Sequence, residues 1–191
     1  MNMANSETEV SKHYVLFIDV LYAVVVGETI FTYGEELFNI PSISTLALVV
    51  TYISIISSFI FWHSAISNYP HKKPYRFFVD IIVLIVYLGI MFNHSKIDTL
   101  FYGFIILYFL YLLWDFLTRR EHGKAASRLT TSAINLIVMI SVFIMRQLLI
   151  YLQILHPQIP STVADVVPLV TLAAFIIVSQ RQDILRVSMR K

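Results

Sequence analysis

The chain has 191 residues, of which 58% are hydrophobic and 14% are charged. Soluble domains contain about 45–50% apolar and about 25% charged residues, so this composition excludes a soluble globular protein. The chain has no cysteine, which excludes disulfides and cysteine-based metal sites. We therefore expect an integral membrane protein, and we infer no nucleic-acid binding from the net charge of +2.

Six apolar segments follow one another along the chain, each near the ~20 residues that a helix needs to cross a bilayer. They cover residues 14–33, 43–66, 77–93, 98–118, 129–155 and 163–180. Turn-forming residues separate them, and the third and fourth segments are close enough to form a tight antiparallel hairpin. The sequence therefore predicts an all-α, polytopic membrane protein with six transmembrane helices within residues 14–180.

The orientation of these helices follows from the basic residues. All lysines and arginines except Lys96 and Arg146 fall in the two termini, the second-to-third loop or the fourth-to-fifth loop. The positive-inside rule therefore predicts that both termini are cytoplasmic. Residues 1–13 lack the charge pattern of a secretory signal and are predicted to remain as a cytoplasmic tail, and residues 181–191 as a basic cytoplasmic tail.

Two carboxylates, Asp19 and Glu28, lie well inside the first apolar segment. A charge at membrane depth costs about 2.5 kcal/mol or more, so such a residue seldom faces lipid. Asp19 and Glu28 point to opposite sides of a helix, whereas Val24 shares a face with Glu28 because the two are one turn apart. Arg146, in the fifth segment, lies at a similar depth to Glu28 and is a possible ion-pair partner for it.

Several other polar residues have simpler interpretations. Asp80 and Asp115 lie near helix ends, where we expect their carboxylates to reach water at the headgroups. Ser132, Asn135 and Arg146 share one face of the fifth helix, which favours a role in holding helices together.

Two short motifs carry a resemblance. Residues 17–23 (FIDVLYA) and residues 58–63 (SFIFWH) resemble the first-helix and second-helix motifs of the transmembrane protein 175 family. The chain departs from the family pattern at three positions: His13 stands at an arginine, Ile18 at a serine and Gly27 at a threonine. Members of that family are potassium-permeable channels, and the prokaryotic ones are six-helix chains with cytoplasmic termini that assemble as tetramers.

The resemblance also implies roles for individual residues. In the family, the first motif and the Trp and His of the second helix form a network on the cytoplasmic side that holds the pore helices. The corresponding residues here are His13, Phe17, Asp19, Trp62 and His63. The family pore is lined by the first helices and is narrowed by apolar side chains.

Carried over by position, the resemblance implies that Val24 forms the constriction and that the pore-lining residues are Val24, Glu28 and Phe31. A ring of Glu28 carboxylates would concentrate cations at the mouth of such a pore. That arrangement competes with the pairing of Glu28 and Arg146, and both remain open at this point.

We therefore expect an oligomeric, potassium-permeable cation channel, a homotetramer in a prokaryotic plasma membrane, whose partners are the lipid bilayer and monovalent cations. One alternative is a membrane-perturbing effector, for example of a bacterial defence system. The other is a small proton-coupled carrier that uses Asp19 or Glu28. We find no catalytic motif and no metal-ligand spacing, so we expect neither enzyme activity nor a metal or other cofactor.

Overall fold

The computed structural model of the protein describes residues 3–38, 42–71, 73–123 and 129–188. Within these ranges the chain forms six helices and no strand, which confirms the predicted all-α fold. The helices are α1 Met3–Phe38, α2 Ile43–Asn68, α3 Pro74–Phe92, α4 Ile97–His122, α5 Leu129–Leu155 and α6 Ser161–Ser188. Each of the six contains a stretch long and apolar enough to cross a membrane.

Local sequence signals explain where several helices begin and end. Ser42 caps α2, because its hydroxyl oxygen accepts a hydrogen bond from the backbone N–H of Thr45 at 3.0 Å. Pro74 is the first residue of α3, where its missing N–H costs no helical hydrogen bond. Gly123 ends α4 with a φ of 86°, a conformation that favours glycine.

The two ends of the chain are more helical than the sequence suggests. Helix α1 begins at Met3, within the predicted N-terminal tail, and α6 continues to Ser188, within the predicted C-terminal tail. The apolar spans within these helices are shorter, His13–Phe38 and Ser161–Ser179. The polar ends of α1 and α6 therefore extend the helices beyond the spans, and their cytoplasmic location stays a prediction.

Helices α3 and α4 pack against each other, as expected for an antiparallel hairpin. Gly103 allows their close approach, since a methyl group at this position would overlap the side chain of Ile90. Because short connections make successive helices run in opposite directions, the start of α1 and the end of α6 lie on one side of the bundle. We call this the termini side and the other the far side.

The first and fifth helices lie at the periphery of the bundle. Helix α1 packs mainly on α2 and α3, whereas α5 packs on α4 and α6. Half of the residues in the apolar windows of α2 and α4 are buried, but only 22% in α1 and 17% in α5. Large parts of α1 and α5 are thus left for contact with lipid, water or another chain.

Candidate functional site: the exposed face of the first helix and its polar supports

Helix α1 has two different faces. Ile18, Tyr22, Val25 and Thr29 are buried at helical spacing and form the face that packs on the rest of the chain. The three residues predicted to line a pore lie elsewhere. Val24 is 58% exposed and Phe31 is 90% exposed, and Glu28 lies between them on the same exposed face. No residue in the described part of the chain buries this part of α1.

Glu28 lies at membrane depth on this exposed face. It is ten residues before Phe38, the last residue of α1, and thus about 15 Å from the far-side end of the helix at the α-helical rise. Among the residues that the structure describes, Glu28 has neither an ion-pair nor a hydrogen-bond partner. The carboxylate therefore depends on water or on another chain for its solvation.

Arg146 pairs with residues other than Glu28, the partner that the sequence suggested. Its Nη2 lies 2.9 Å from Oδ1 of Asp165 on α6, and its Nη1 forms a very short ion pair with Asp98 on α4. The guanidinium also lies over the ring of Phe101, 5.5 Å from the centroid. Glu28 is not among these partners, because α1 packs mainly on α2 and α3, whereas α5 packs on α4 and α6. Arg146 is thus a link between α4, α5 and α6, as the shared face with Ser132 indicates.

The structure brings together only part of the network that the family resemblance implies. Nδ1 of His63 lies 3.6 Å from Oδ1 of Asp19, so these two residues connect α1 and α2 near the termini side. The ring of Trp62 packs on Tyr22, with centroids 6.2 Å apart. Phe17 contacts a different element, since its ring packs on Phe77 of α3.

His13 contributes nothing to this network within the described residues. Its side chain is exposed, and no hydrogen bond or ion pair involves it. The Asp19–His63 contact is also partly open to solvent, with side-chain exposures of 31% and 52%. The link between α1 and α2 at this depth therefore includes a pair that is partly open to solvent, together with ring packing.

A second polar network, which the sequence did not reveal, joins four helices at mid-depth. The hydroxyl of Tyr22 on α1 lies 3.1 Å from Ser58 Oγ on α2, and Tyr111 on α4 donates to the same oxygen at 2.8 Å. The hydroxyls of Tyr111 and Tyr87 on α3 are 2.6 Å apart. Tyr87 also contacts Ser54 Oγ at 2.9 Å. The five hydroxyls form a continuous hydrogen-bonded chain across α1–α4.

The two serines of this hydroxyl network have a spacing that can be recognised in the sequence. Ser54 and Ser58 are one turn apart on α2, a spacing typical of small residues at a helix contact. Their tyrosine partners lie 33 to 53 residues away along the chain, on other helices. Nothing local predicts such contacts, since they depend on how the helices pack.

Arg76 lies near the termini side and is fully buried. From the sequence, the positive-inside rule alone was enough to explain the position of this charge. Its Nη1 lies 2.8 Å from Oε2 of Glu121 on α4, and its Nη2 donates to the backbone carbonyl of Tyr69 at 3.2 Å. The guanidinium stacks on Trp114 at 4.4 Å from the ring centroid. Arg76 thus fastens the turn between α2 and α3 to the end of α4.

Asp80 and Asp115 do not reach headgroup water, contrary to the expectation from their positions near helix ends. Both are buried, at 4% and 3% exposure. Nε2 of His71 lies 2.9 Å from Oδ2 of Asp80, and Ser132 forms a very short hydrogen bond to Asp115. Each carboxylate therefore lies beside a polar group inside the bundle and away from water at the membrane surface.

Comparisons of the chain with protein-family models, with curated proteins and with solved structures found no match. The groups of His, Asp and Glu in the described part of the chain do not form a candidate metal site. The functional assignment therefore depends on the geometry of α1 and on the physical chemistry of its side chains.

Proposed function

We propose that this protein is an oligomeric cation channel in which the first helices of several copies surround an ion path. Six apolar helices are compatible with a membrane transporter or channel. The observation that favours a channel is Glu28, a carboxylate at membrane depth on an exposed face of α1. The described part of the same chain supplies it with no partner.

The energetic cost of a charge in lipid supports this proposal. A carboxylate facing hydrocarbon costs about 2.5 kcal/mol or more, whereas one facing a water-filled path keeps its hydration. Val24 and Phe31 are on the same exposed face, one turn before and one turn after Glu28. In a ring of copies, Val24 forms the apolar constriction and Glu28 a ring of negative charge that attracts cations.

The more specific parts of the proposal follow the resemblance to the transmembrane protein 175 family. They are permeation by potassium, assembly as a homotetramer and a location in a prokaryotic plasma membrane. Asp19 has a different role in this proposal, because it points away from Glu28 and lies near His63. It helps to hold α1 on α2 and does not face the ions.

A proton-coupled carrier is the second candidate, and the hydroxyl network favours it. Tyr22, Ser58, Tyr87 and Tyr111 place polar groups from four helices of one chain at mid-depth, where carriers hold their substrates. A carrier would give saturable exchange driven by a pH gradient in reconstituted vesicles. A channel would give single-channel currents in a planar bilayer, far above the turnover of a carrier.

The direct test of the water-facing surface uses the absence of cysteine from the chain. Val24→Cys and Glu28→Cys are each introduced alone, together with Ile144→Cys on α5 as a matched control of similar exposure, 52% against 58% for Val24. A charged thiol reagent reacts only with a cysteine that contacts water. We expect it to react at positions 24 and 28 and to change the current, and to leave position 144 unmodified.

Two results would contradict the proposal. Reaction at Ile144→Cys with none at Glu28→Cys would place the water path along α5 instead of α1. Reaction at none of the three positions, in a protein that is folded in lipid, would mean that α1 faces lipid and lines no pore.

A further inference from the structure

Two glutamates stand next to each other near the far-side end of α1, and their surroundings differ. The carboxylate of Glu36 accepts a hydrogen bond from the hydroxyl of Ser44 at 2.6 Å, and Nε2 of His94 lies 3.0 Å from its Oε2. Glu35 is exposed and has neither an ion-pair nor a hydrogen-bond partner among the residues that the structure describes. Glu36 therefore holds the end of α1 on its neighbours, whereas Glu35 takes no part in the packing of the chain.

Glu35 lies on the same face of α1 as the residues proposed to line the ion path. It follows Glu28 by seven residues, which is close to two full turns, so the two carboxylates are stacked along the helix about 10 Å apart. Val24 and Phe31 belong to the same exposed face. Glu35 is three residues, or about 5 Å, from Phe38 at the far-side end of α1. The Glu35 carboxylate is thus at the far-side mouth of this face, and that of Glu28 is two turns deeper.

The same face is apolar on the termini side of Val24. Its exposed side chains there include Phe17 and Val20. Asp19, the carboxylate of this half of α1, lies five residues before Val24 and therefore points away from the face. The negative charges of the face are thus confined to its far-side half.

The cations on the far side of the bundle leave the charge of Glu35 unpaired. Lys96, in the turn between α3 and α4, is exposed and forms no ion pair with a described residue. Arg146 is held by Asp98 and Asp165. The carboxylate of Glu35 is therefore available to attract a cation from the far-side solution.

We propose that Glu35 forms the outer of two carboxylate rings in the assembled protein, and that these rings make it pass cations more readily from the far side than from the termini side. In a ring of copies, each α1 contributes Glu35 at the far-side mouth and Glu28 two turns deeper. A fixed negative charge at one mouth raises the cation concentration there and so raises the current that enters by that mouth. The termini-side half of the face has no such charge, so the two directions of current differ.

This inference rests on the proposed channel, but the two fail in different ways. A reconstituted protein that gives no single-channel current would contradict both. A channel whose current responds to modification of Glu28→Cys and not to a change of charge at position 35 would keep the channel and refute the outer ring.

Removal of the charge at position 35 is the first step of the test. Glu35→Cys is introduced into the full-length protein, which has no other cysteine. Single channels are recorded in planar bilayers in one orientation, which protease access to a C-terminal tag establishes. At about 0.1 M salt, where the screening length is about 10 Å, the current that enters from the far side should fall, and at about 1 M salt it should not. We expect a fall of about twofold, because a potential of only about 1 kT concentrates a monovalent cation about threefold. The opposite current should change less.

Charged thiol reagents then change the charge within the same channel. A methanethiosulfonate that carries a sulfonate restores a negative charge at position 35 and should restore the current from the far side. One that carries a trimethylammonium group places a positive charge there and should lower that current further. Both reagents act on a channel that is already folded and conducting, so a folding defect cannot produce these opposite changes.

Ile154→Cys on α5 is the matched control. This side chain is 72% exposed and is one residue from the far-side end of its helix, but it does not lie on α1. Neither reagent should change the current at this position. Equal effects at positions 154 and 35, or equal effects of Glu35→Cys on the two directions of current, would overturn the outer ring.

Discussion

Arg146 and Glu28 are two charged residues on the far-side half of the bundle that differ in their surroundings. Arg146 is 5% exposed and is held by Asp98 and Asp165, so its charge is neutralised within one chain. Glu28 lies on the exposed face of α1 and has no partner among the described residues. One charge is satisfied by the fold of a single chain, and the other is not.

This difference distinguishes charged residues that stabilise the fold of a membrane protein from those that serve its function. A charge that is enclosed and paired holds helices together, and its removal should mainly affect folding. A charge left unpaired at membrane depth carries a cost that folding does not repay, so we expect such a charge to serve function and not stability. The predictions below test this distinction, from the largest expected effect on stability to the smallest.

Replacement of each charge by leucine should have opposite effects on stability. Arg146→Leu leaves two carboxylates without their cation and should lower the free energy of unfolding by about 3 kcal/mol, the lower end of the range for a buried pair, because Asp98 is 66% exposed. Glu28→Leu should leave stability unchanged or raise it. Unfolding of the purified proteins in detergent measures both, and equal losses would abolish the distinction.

The hydroxyl network should behave like Arg146, on a smaller scale. Tyr87→Phe removes a hydroxyl from a residue with 0% exposure and leaves the oxygens of Ser54 and Tyr111 without this contact. We expect a loss of about 1 kcal/mol in the free energy of unfolding. Tyr102→Phe is the matched control, since Tyr102 is 55% exposed, and it should have no measurable effect.

Asp19 should have a still smaller effect on stability. Its contact with His63 is partly open to solvent, so Asp19→Leu should cost about 1 kcal/mol or less. Because Asp19 points away from Glu28, the reversal potential under mixed-ion conditions should stay unchanged. A well-folded Asp19→Leu protein with altered selectivity would place Asp19 on the ion path.

Val24 should affect the current and not the stability, because its side chain is 58% exposed. Val24→Ser should raise the single-channel conductance by relieving a dewetted constriction, and Val24→Phe should lower it. Ile144→Ser on α5 is the control at a similarly exposed position and should leave the conductance unchanged. Changes in stability with no change in conductance would mean that Val24 packs against protein.

The sequence predicted the six helices well and their polar contacts poorly, for a physical reason. Length and apolarity decide whether a segment crosses the membrane, and both are local properties. The partners of a buried charge depend on which helices are neighbours. Depth alone suggested that Glu28 pairs with Arg146, but α5 packs on α4 and α6, whose aspartates are closer.

Arg76 is a second charged residue whose contacts could not be predicted from the sequence. Its position in a basic loop predicts a location on the cytoplasmic side, and this is a sufficient explanation until its burial is known. Its contacts with Glu121 and Trp114 join residues that are far apart in sequence, and no spacing rule connects them. That Val24 and Glu28 share one face of α1, by contrast, follows from helical periodicity alone, which is why the two could be grouped in advance.

Single-channel recordings of Glu28→Gln at two salt concentrations test most directly whether the Glu28 carboxylate faces the ion path. A carboxylate that lines a water-filled path concentrates cations when screening is weak, and the screening length falls from about 10 Å at 0.1 M to about 3 Å at 1 M salt. We predict that Glu28→Gln lowers the cation conductance at low salt and has little effect at high salt. The same conductance as the unmodified channel at both concentrations would mean that the carboxylate does not face the ion path.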